Sequence, residues 1–372
     1  MSQRENVNPR REQDHRKNSR RYQKRAAARR RRNTIFIMEI VLLLILAVGL
    51  FFVSKLSKIE KTKLDMDKIE VNEDISQESQ KIMKGYQTIA MFGLDNRSNG
   101  NLSQGRSDVI MLANINNDTK EVKLVSVYRD TYLDTGDGIF QKCNAAYAKG
   151  GPEQAISMLN VNLDLNITDY VTVDFNSIIE CVDLLGGVDM EITDDEASLM
   201  TGYIRELNEL TGNKAENLTQ GGTYTLNGVQ ACAYARIRYG GGDDYRRTER
   251  QRTVLTAMVK KAQQSDLTTV NKLINEVCGD IQTSFSNAEL LALASQVFQY
   301  SIGDTTGFPF TKTTKVLSKK TGDVVIPCDL SDNVKELHIF LYEDSAYTVS
   351  DTVKQNSEKI VSDTGFKSGD GH

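Results

Sequence analysis

Three short apolar runs stand out in the first half of the chain: 88–94 (TIAMFGL), 108–115 (DVIMLANI) and 122–128 (VKLVSVY). Each is bounded by polar residues and has the length of a strand, so each predicts a buried one. Asn116, Asn117 and Asp118 supply a turn between the second and third, which makes those two antiparallel neighbours. Further on, Pro152 opens a helix (PEQAISMLN), 169–175 (DYVTVDF) is a strand, and NSIIECVDLLGG is a helix closed by Gly186 and Gly187. VDMEI is a strand, and 226–234 a helix. The clearest helix is TERQRTVLTAMVKKAQQ, where Arg247, Gln251, Val254 and Met258 share one stripe with Arg250 beside it. The class expected is α/β, a mixed central sheet with helices on both sides.

Ahead of these elements the pattern changes twice. The first 33 residues carry thirteen Lys and Arg against three acids, and 34–53 then runs for twenty residues with Glu39 as the only charge. That is the length of one membrane-spanning helix, and the basic flank places the amino terminus in the cytoplasm and the remainder outside. A cleaved signal peptide fits less well, because the basic region is long and no small-x-small site follows the run. Glu39 lies near enough to the cytoplasmic end to reach the headgroups. The organisation expected is a basic tail (1–33), a transmembrane helix (34–54), a polar stalk (55–85), one domain (86–345) and a carboxy-terminal segment (346–372). Residues 363–372 (DTGFKSGDGH) have the composition of a disordered end.

Without tail and span, 33 basic residues face 46 acidic ones, a net charge near −13. An exported acidic domain is not a nucleic-acid binder, and the basic tail serves topology and the lipid surface. The five cysteines are widely spaced without a CxxC pair, so no zinc site follows. Cys143, Cys181 and Cys232 sit in apolar or small-residue contexts as buried thiols, while a Cys278 to Cys328 bridge is left open. Of three histidines, His15 is in the tail and His372 is the last residue, leaving His338. That disfavours Ser-His and Cys-His hydrolases.

Against this acidic background, 234–252 (YARIRYGGGDDYRRTERQR) holds six arginines at a helix start. Cations there oppose the helix dipole, at a cost of a few tenths to about 1 kcal/mol each. A local rule broken so often points to function, and guanidinium forks at a helix amino terminus are receptors for phosphate oxygens. The competing reading is a solvated basic face. Arg252 lies off the apolar stripe and is expected to face solvent. Asp95 and Arg97 follow the first strand, Arg106 and Asp108 precede the second, and Arg129 and Asp130 follow the third, so all six gather at one sheet edge. Two carboxylates without a histidine or thiol nearby suit magnesium, which takes its other ligands from phosphate and water.

GLDNR (93–97), RSD (106–108), SVYRDT (126–131), KCNAAYAKGG (142–151), VDLLGGV (182–188), YARIR and DYRRTERQ (244–251), in this order behind one apolar span, resemble the LytR-CpsA-Psr family over residues 86 to 262. The resemblance implies a membrane-anchored extracytoplasmic phosphotransferase. It would move a glycopolymer from a polyprenyl pyrophosphate carrier onto peptidoglycan through a phosphodiester. Carried over by motif, Asp95 and Asp108 would hold magnesium, and Arg106, Arg129, Arg236, Arg238 and Arg247 would grip the pyrophosphate, with Arg250 and Gln251 completing that wall. Asp130 and Asp244 would orient the arginines, and one of them would deprotonate the acceptor, with Asp243 as the alternative to Asp244. The lipid tail would lie in an apolar groove between sheet and helices. Where the family usually has proline before the Arg-Asp pair, this chain has Tyr128. Two rival readings remain, a polyprenyl-phosphate sensor without catalysis and a secreted lipid pyrophosphatase that uses water as acceptor. Retention of Asp95 and Asp108 favours catalysis, since an anion receptor needs no metal.

Overall fold

The computed structural model describes residues 60–61, 64–94, 102, 105–238, 244–266, 269, 272–273 and 281–371. The expected transmembrane helix lies outside these residues, and no described helix is long and apolar enough to cross a membrane. In chain order the strands are β1 (Glu60–Lys61), β2 (Tyr86–Leu94), β3 (Ser107–Asn116), β4 (Glu121–Val127), β5 (Tyr132–Asp134), β6 (Phe140–Lys142) and β7 (Asp169–Asp174). They continue as β8 (Val188–Ile192), β9 (Gly222–Leu226), β10 (Ile281–Thr283), β11 (Ser301–Phe308), β12 (Lys312–Ser318) and β13 (Gly322–Pro327). The helices are α1 (Gln77–Met83), α2 (Ala145–Leu163), α3 (Phe175–Leu184), α4 (Asp194–Thr211), α5 (Gly228–Arg236), α6 (Asp244–Gln264), α7 (Asn287–Ser295), α8 (Leu330–Tyr342) and α9 (Asp351–Thr364).

Among the described residues the central sheet has the order β1-β10-β7-β2-β3-β4-β11. The β2, β3 and β4 strands are antiparallel neighbours, as the turn chemistry predicts, with Asn116 Oδ1 accepting from the Asp118 and Thr119 amides. The outer pairs β2–β7 and β4–β11 are parallel, so the sheet is mixed. Side chains alternate between its faces. Ala90, Phe92, Ile110, Leu112, Val125 and Val127 join the core shared with α2, α8 and α9, while Ile89, Met111, Ala113, Ile115, Val122 and Leu124 join Phe285, Leu290 and Leu293 on the other face. A further core packs α3, α4, α5 and α6 with the β8–β9 hairpin. Gly93 is required where β2 slips register against β3, because a Cβ there would stand 2.8 Å from Val109 Cβ.

Two expectations about the ends of the domain are corrected. Residues 64–84 are no stalk: Leu64, Ile69, Ile75 and Met83 are buried in the main core, and a single turn (Met66–Lys68) and α1 fold against it. The apolar residues there are too sparse for a recognisable period, yet each reaches a neighbour distant in sequence. Residues 363–371 are no loose end either, since Phe366 packs on the core and Lys315 Nζ, beside that ring, donates to the Thr364 carbonyl at 2.9 Å. Asn72 of the first segment meets Tyr347 and Ser350, just ahead of α9, at Asp164, a fully buried carboxylate that accepts from Asn72 Nδ2, the Ser350 amide and the Tyr347 hydroxyl. Such a charge is tolerable only because every approach is hydrogen-bonded.

His338 stacks on Tyr347 at 3.6 Å and bonds the Leu163 carbonyl through Nε2, far from any catalytic use. Burial depresses its pKa to about 4. A depressed histidine is neutral in the fold, so its contribution is complete above the unfolded pKa of about 6.5 and is lost as pH falls from there through about 4, by about 3 kcal/mol in all. The substitution His338→Gln, which can still donate to Leu163, is expected to flatten that part of a Tm-against-pH curve. An acid limb of unchanged slope would show that other groups control it.

Cys143, Cys181 and Cys328 are free thiols, and Cys232 is buried in the core of α3 to α6. Cys181 is half-buried rather than buried, and Cys278 lies outside the described residues.

Candidate active site

Helix α6 begins at Asp244, four residues earlier than its apolar period indicates, so Arg246 and Arg247 stand inside its first turn. Asp244 makes this tolerable. Its carboxylate suits the positive end of the dipole, and Oδ1 lies 3.0 Å from Arg247 Nη2, 3.5 Å from Arg238 Nη2 and 3.8 Å from Arg129 Nε. One acid thus gathers arginines from three places in the sequence. Burial pushes the Asp244 carboxyl above the usual range, against the pull of Arg129. Burial alone would lower the Arg129 guanidinium, but Asp108, Asp244 and Asp130 reverse this and hold it above its ordinary value.

Arg129 leaves the end of β4 and meets Asp108, at the start of β3, with Nη1 2.6 Å from Oδ1. Tyr128, in the place where proline was expected by resemblance, donates its amide to the Phe308 carbonyl at 3.0 Å, a bond proline lacks. The tyrosine therefore extends the β4–β11 pairing to the residue before Arg129. The KCN segment secures the same turn: the Cys143 thiol donates to the Tyr128 and Arg129 carbonyls, the Asn144 amide donates to the Arg129 carbonyl, and Lys142 Nζ lies 3.0 Å from Asp130 Oδ1.

Arg236 ends α5 and lies over the rings of Phe175 and Tyr203 at 5.1 and 5.7 Å, with Nη2 3.1 Å from Glu206 on α4. Together Arg129, Arg236, Arg238, Arg247, Asp108 and Gln251 line a cavity of about 380 Å³. Arg129 Nε, Arg236 Nη1, Arg247 Nε and Gln251 Oε1 are buried without a hydrogen-bond partner. Gln251 Oε1 is an acceptor, but the three guanidinium nitrogens are donors; buried donors are rarely left so, and three around one cavity suit an anionic ligand rich in acceptor oxygens. A second, apolar cavity of about 110 Å³ adjoins it and shares Val109, Phe175 and Gln251 in its lining. Its other walls include Met91, Met111, Ile178, Val254 and Met258.

Not every expected residue joins this constellation. Asp95, Arg97 and Asp243 lie outside the described residues, and Arg106 is exposed and does not line the cavity. Asp130 stands behind Arg129, with Oδ2 3.8 Å from its Nε. Arg250 points the other way, with Nε 3.1 Å from Glu196 and its guanidinium over Tyr234, so it braces α6 against α4 and α5. Arg252 is not in solvent: it is 8% exposed and lies near Tyr128. The helix is covered around most of its girth, so leaving the apolar stripe does not mean reaching water. Phe175, Tyr203, Glu206 and Lys142 were missed by sequence reasoning, because nothing in their local pattern relates them to arginines tens of residues away.

The structure thus defines a mixed-sheet α/β domain with an arginine-lined cavity beside an apolar slot. The chain belongs to the LytR_cpsA_psr family, whose model matches residues 47–315. It is 30% identical over 210 residues to the polyisoprenyl-teichoic acid–peptidoglycan teichoic acid transferase TagU of Enterococcus faecalis, a match covering 56% of this chain and 64% of the relative. It is 31% identical over 208 residues to biofilm regulatory protein A of Streptococcus mutans, covering 53% and 49%. The chain thus spans about half to two thirds of the length of these curated relatives. The crystal structure of TagV from B. subtilis superposes with a TM-score of 0.55 and 26% identity, over 72% of this chain and 99% of that one.

Proposed function

We propose that this chain transfers a glycopolymer from a polyprenyl pyrophosphate carrier onto peptidoglycan. The carrying observation is the adjacency of the two cavities: a cationic pocket and an apolar slot that share Val109, Phe175 and Gln251 suit a ligand with a charged head and a hydrocarbon tail. The names of relatives such as TagU and TagV support the reaction class. The donor pyrophosphate would rest on Arg129, Arg236, Arg238 and Arg247. The acceptor hydroxyl oxygen would bond the phosphorus that bears the glycan, the bond to polyprenyl phosphate would break, and the proton would pass to Asp130 or Asp244. Phosphoryl transfer needs mainly positioning and charge neutralisation, which the fixed guanidinium forks supply.

The donor set at the sheet edge is compatible with magnesium. Asp108 is a hard oxygen ligand beside the phosphate cavity and, with Asp95, would hold the ion, which when bound adds neutralisation of the phosphate oxygens. The membrane anchor at 34–54 would keep the site at the outer leaflet where the lipid donor resides.

The slot is short, but three methionines line it, and their side chains shift readily. Filling it by Ala235→Leu is expected to weaken binding of long-chain polyprenyl pyrophosphate about tenfold and to leave inorganic pyrophosphate unaffected. Equal losses for both ligands would remove the lipid assignment.

The regulator name of the S. mutans relative favours a second reading, a polyprenyl-phosphate sensor. Full-length protein in detergent with magnesium, lipid-linked glycan and peptidoglycan separates the possibilities. Polymer on the acceptor supports transfer, free phosphate alone makes the chain a pyrophosphatase, and binding without turnover makes it a sensor.

A further inference from the structure

Asp130 stands between two regions: Oδ2 lies 3.8 Å from Arg129 Nε, while Oδ1 faces a part of the domain that the pyrophosphate cavity does not use. Its carboxylate holds Lys142, and its backbone carbonyl accepts from the Val325 amide on β13 at 2.9 Å. The Lys142 ammonium in turn lies 3.9 Å from the place a Cβ would take at Gly322, in the turn of the β12–β13 hairpin. That turn carries Lys319 and Lys320, both exposed and without an ion pair among the described residues. Along β12, Lys312, Thr314 and Val316 share one face. It begins beside the site, where Lys312 Nζ lies 4.8 Å from the Tyr245 ring centre and 5.4 Å from that of Tyr128. It continues outward to Val316, which is 66% exposed. The seven residues of β12 cover ~20 Å, the scale of several sugars in a row. The family match ends at residue 315, so the tip and β13 lie beyond it.

We propose that the β12–β13 hairpin, with the Tyr245 ring and Lys142, is the docking ledge for the acceptor, a glycan strand bearing carboxylates. Its lysines hold the carboxylates, the tyrosine ring supports a sugar face, and the ledge delivers a hydroxyl to Asp130. This rests on the transferase reading above. The geometry favours a strand over a lipid surface. The tip lysines lie next to Gly322, which Lys142 approaches, and Lys142 holds Asp130, so a strand bound at the tip is led to a carboxylate of the site, which a headgroup surface would not require. Charge supplies the selectivity: the exported part is acidic overall, and a polyanionic strand is repelled except where such lysines are exposed.

The test uses full-length protein in neutral detergent, comparing Lys319→Ser/Lys320→Ser with Lys81→Ser/Lys335→Ser, a pair of exposed lysines on other helices. The tip variant is expected to raise the KM for peptidoglycan about fivefold, with kcat and binding of a polyprenyl pyrophosphate analogue unchanged, and the difference should shrink in high salt. Sedimentation with purified peptidoglycan should show the same weakening without any turnover. If the unsubstituted protein neither binds the analogue nor transfers, the transferase reading fails while sedimentation still judges the ledge. The ledge is overturned if KM and sedimentation match the unsubstituted protein, or if the only loss is on phosphatidylglycerol vesicles, which would make the tip a membrane contact.

Discussion

Arg129→Lys is expected to lower transfer roughly 100-fold with the net charge unchanged. Asp108 holds Nη1 of this guanidinium, and Asp130 and Asp244 each stand 3.8 Å from its Nε, which is buried and lacks a hydrogen-bond partner. A lysine ammonium can satisfy Asp108 but cannot present a second, fixed donor to phosphate. The loss of that charge-assisted hydrogen bond, about 1.5 to 3 kcal/mol in general, accounts for about one to two orders of magnitude. Arg246→Lys, exposed on the same helix, is the comparison and should leave the rate unchanged. A drop of less than about threefold for Arg129→Lys would mean that charge alone suffices and that the fork geometry has no part in the reaction.

Asp108→Asn is expected to reduce transfer at least as severely, and its magnesium dependence discriminates between two causes. The amide keeps the shape of the side chain but removes the charge that holds Arg129. If Asp108 also holds magnesium, residual activity should need a higher magnesium concentration, on the order of tenfold or more, because one of few carboxylate ligands is gone. If its role is confined to orienting Arg129, activity falls with the magnesium midpoint unmoved. Full activity in excess chelator would remove the metal from the proposal altogether.

The elements of the sheet were legible because their signals are local. β2, β3 and β4 are runs whose length and turn residues suffice to define them, and the arginine cluster was visible as a contradiction of dipole electrostatics over a few residues. The family motifs contain six of the ten residues that line the cavity, Asp108, Arg129, Arg236, Arg238, Arg247 and Gln251. Arg250 was misassigned for a reason that periodicity cannot overcome. A 3.6-residue period places it beside Arg247, but Glu196 on α4 reaches that flank and draws the guanidinium away. Residues 64–84 failed differently. Their apolar positions are isolated, and isolated positions are recognisable as core only when the partners that cover them are known.

The sequence by itself determined the mixed α/β class, the antiparallel start of the sheet, the family, and the concentration of guanidinium at one helix terminus, all of which depend on neighbours in the chain or on ordered motifs. Only the tertiary structure decided which arginines face a common cavity, that Asp244 binds three of them, that an apolar slot shares a wall with the cationic pocket, and that the hairpin beyond residue 315 stands beside Asp130. Those are contacts between residues tens to hundreds of positions apart. Charge and hydrophobicity declare what a side chain needs, while the packing of helices on the sheet decides which other side chain supplies it.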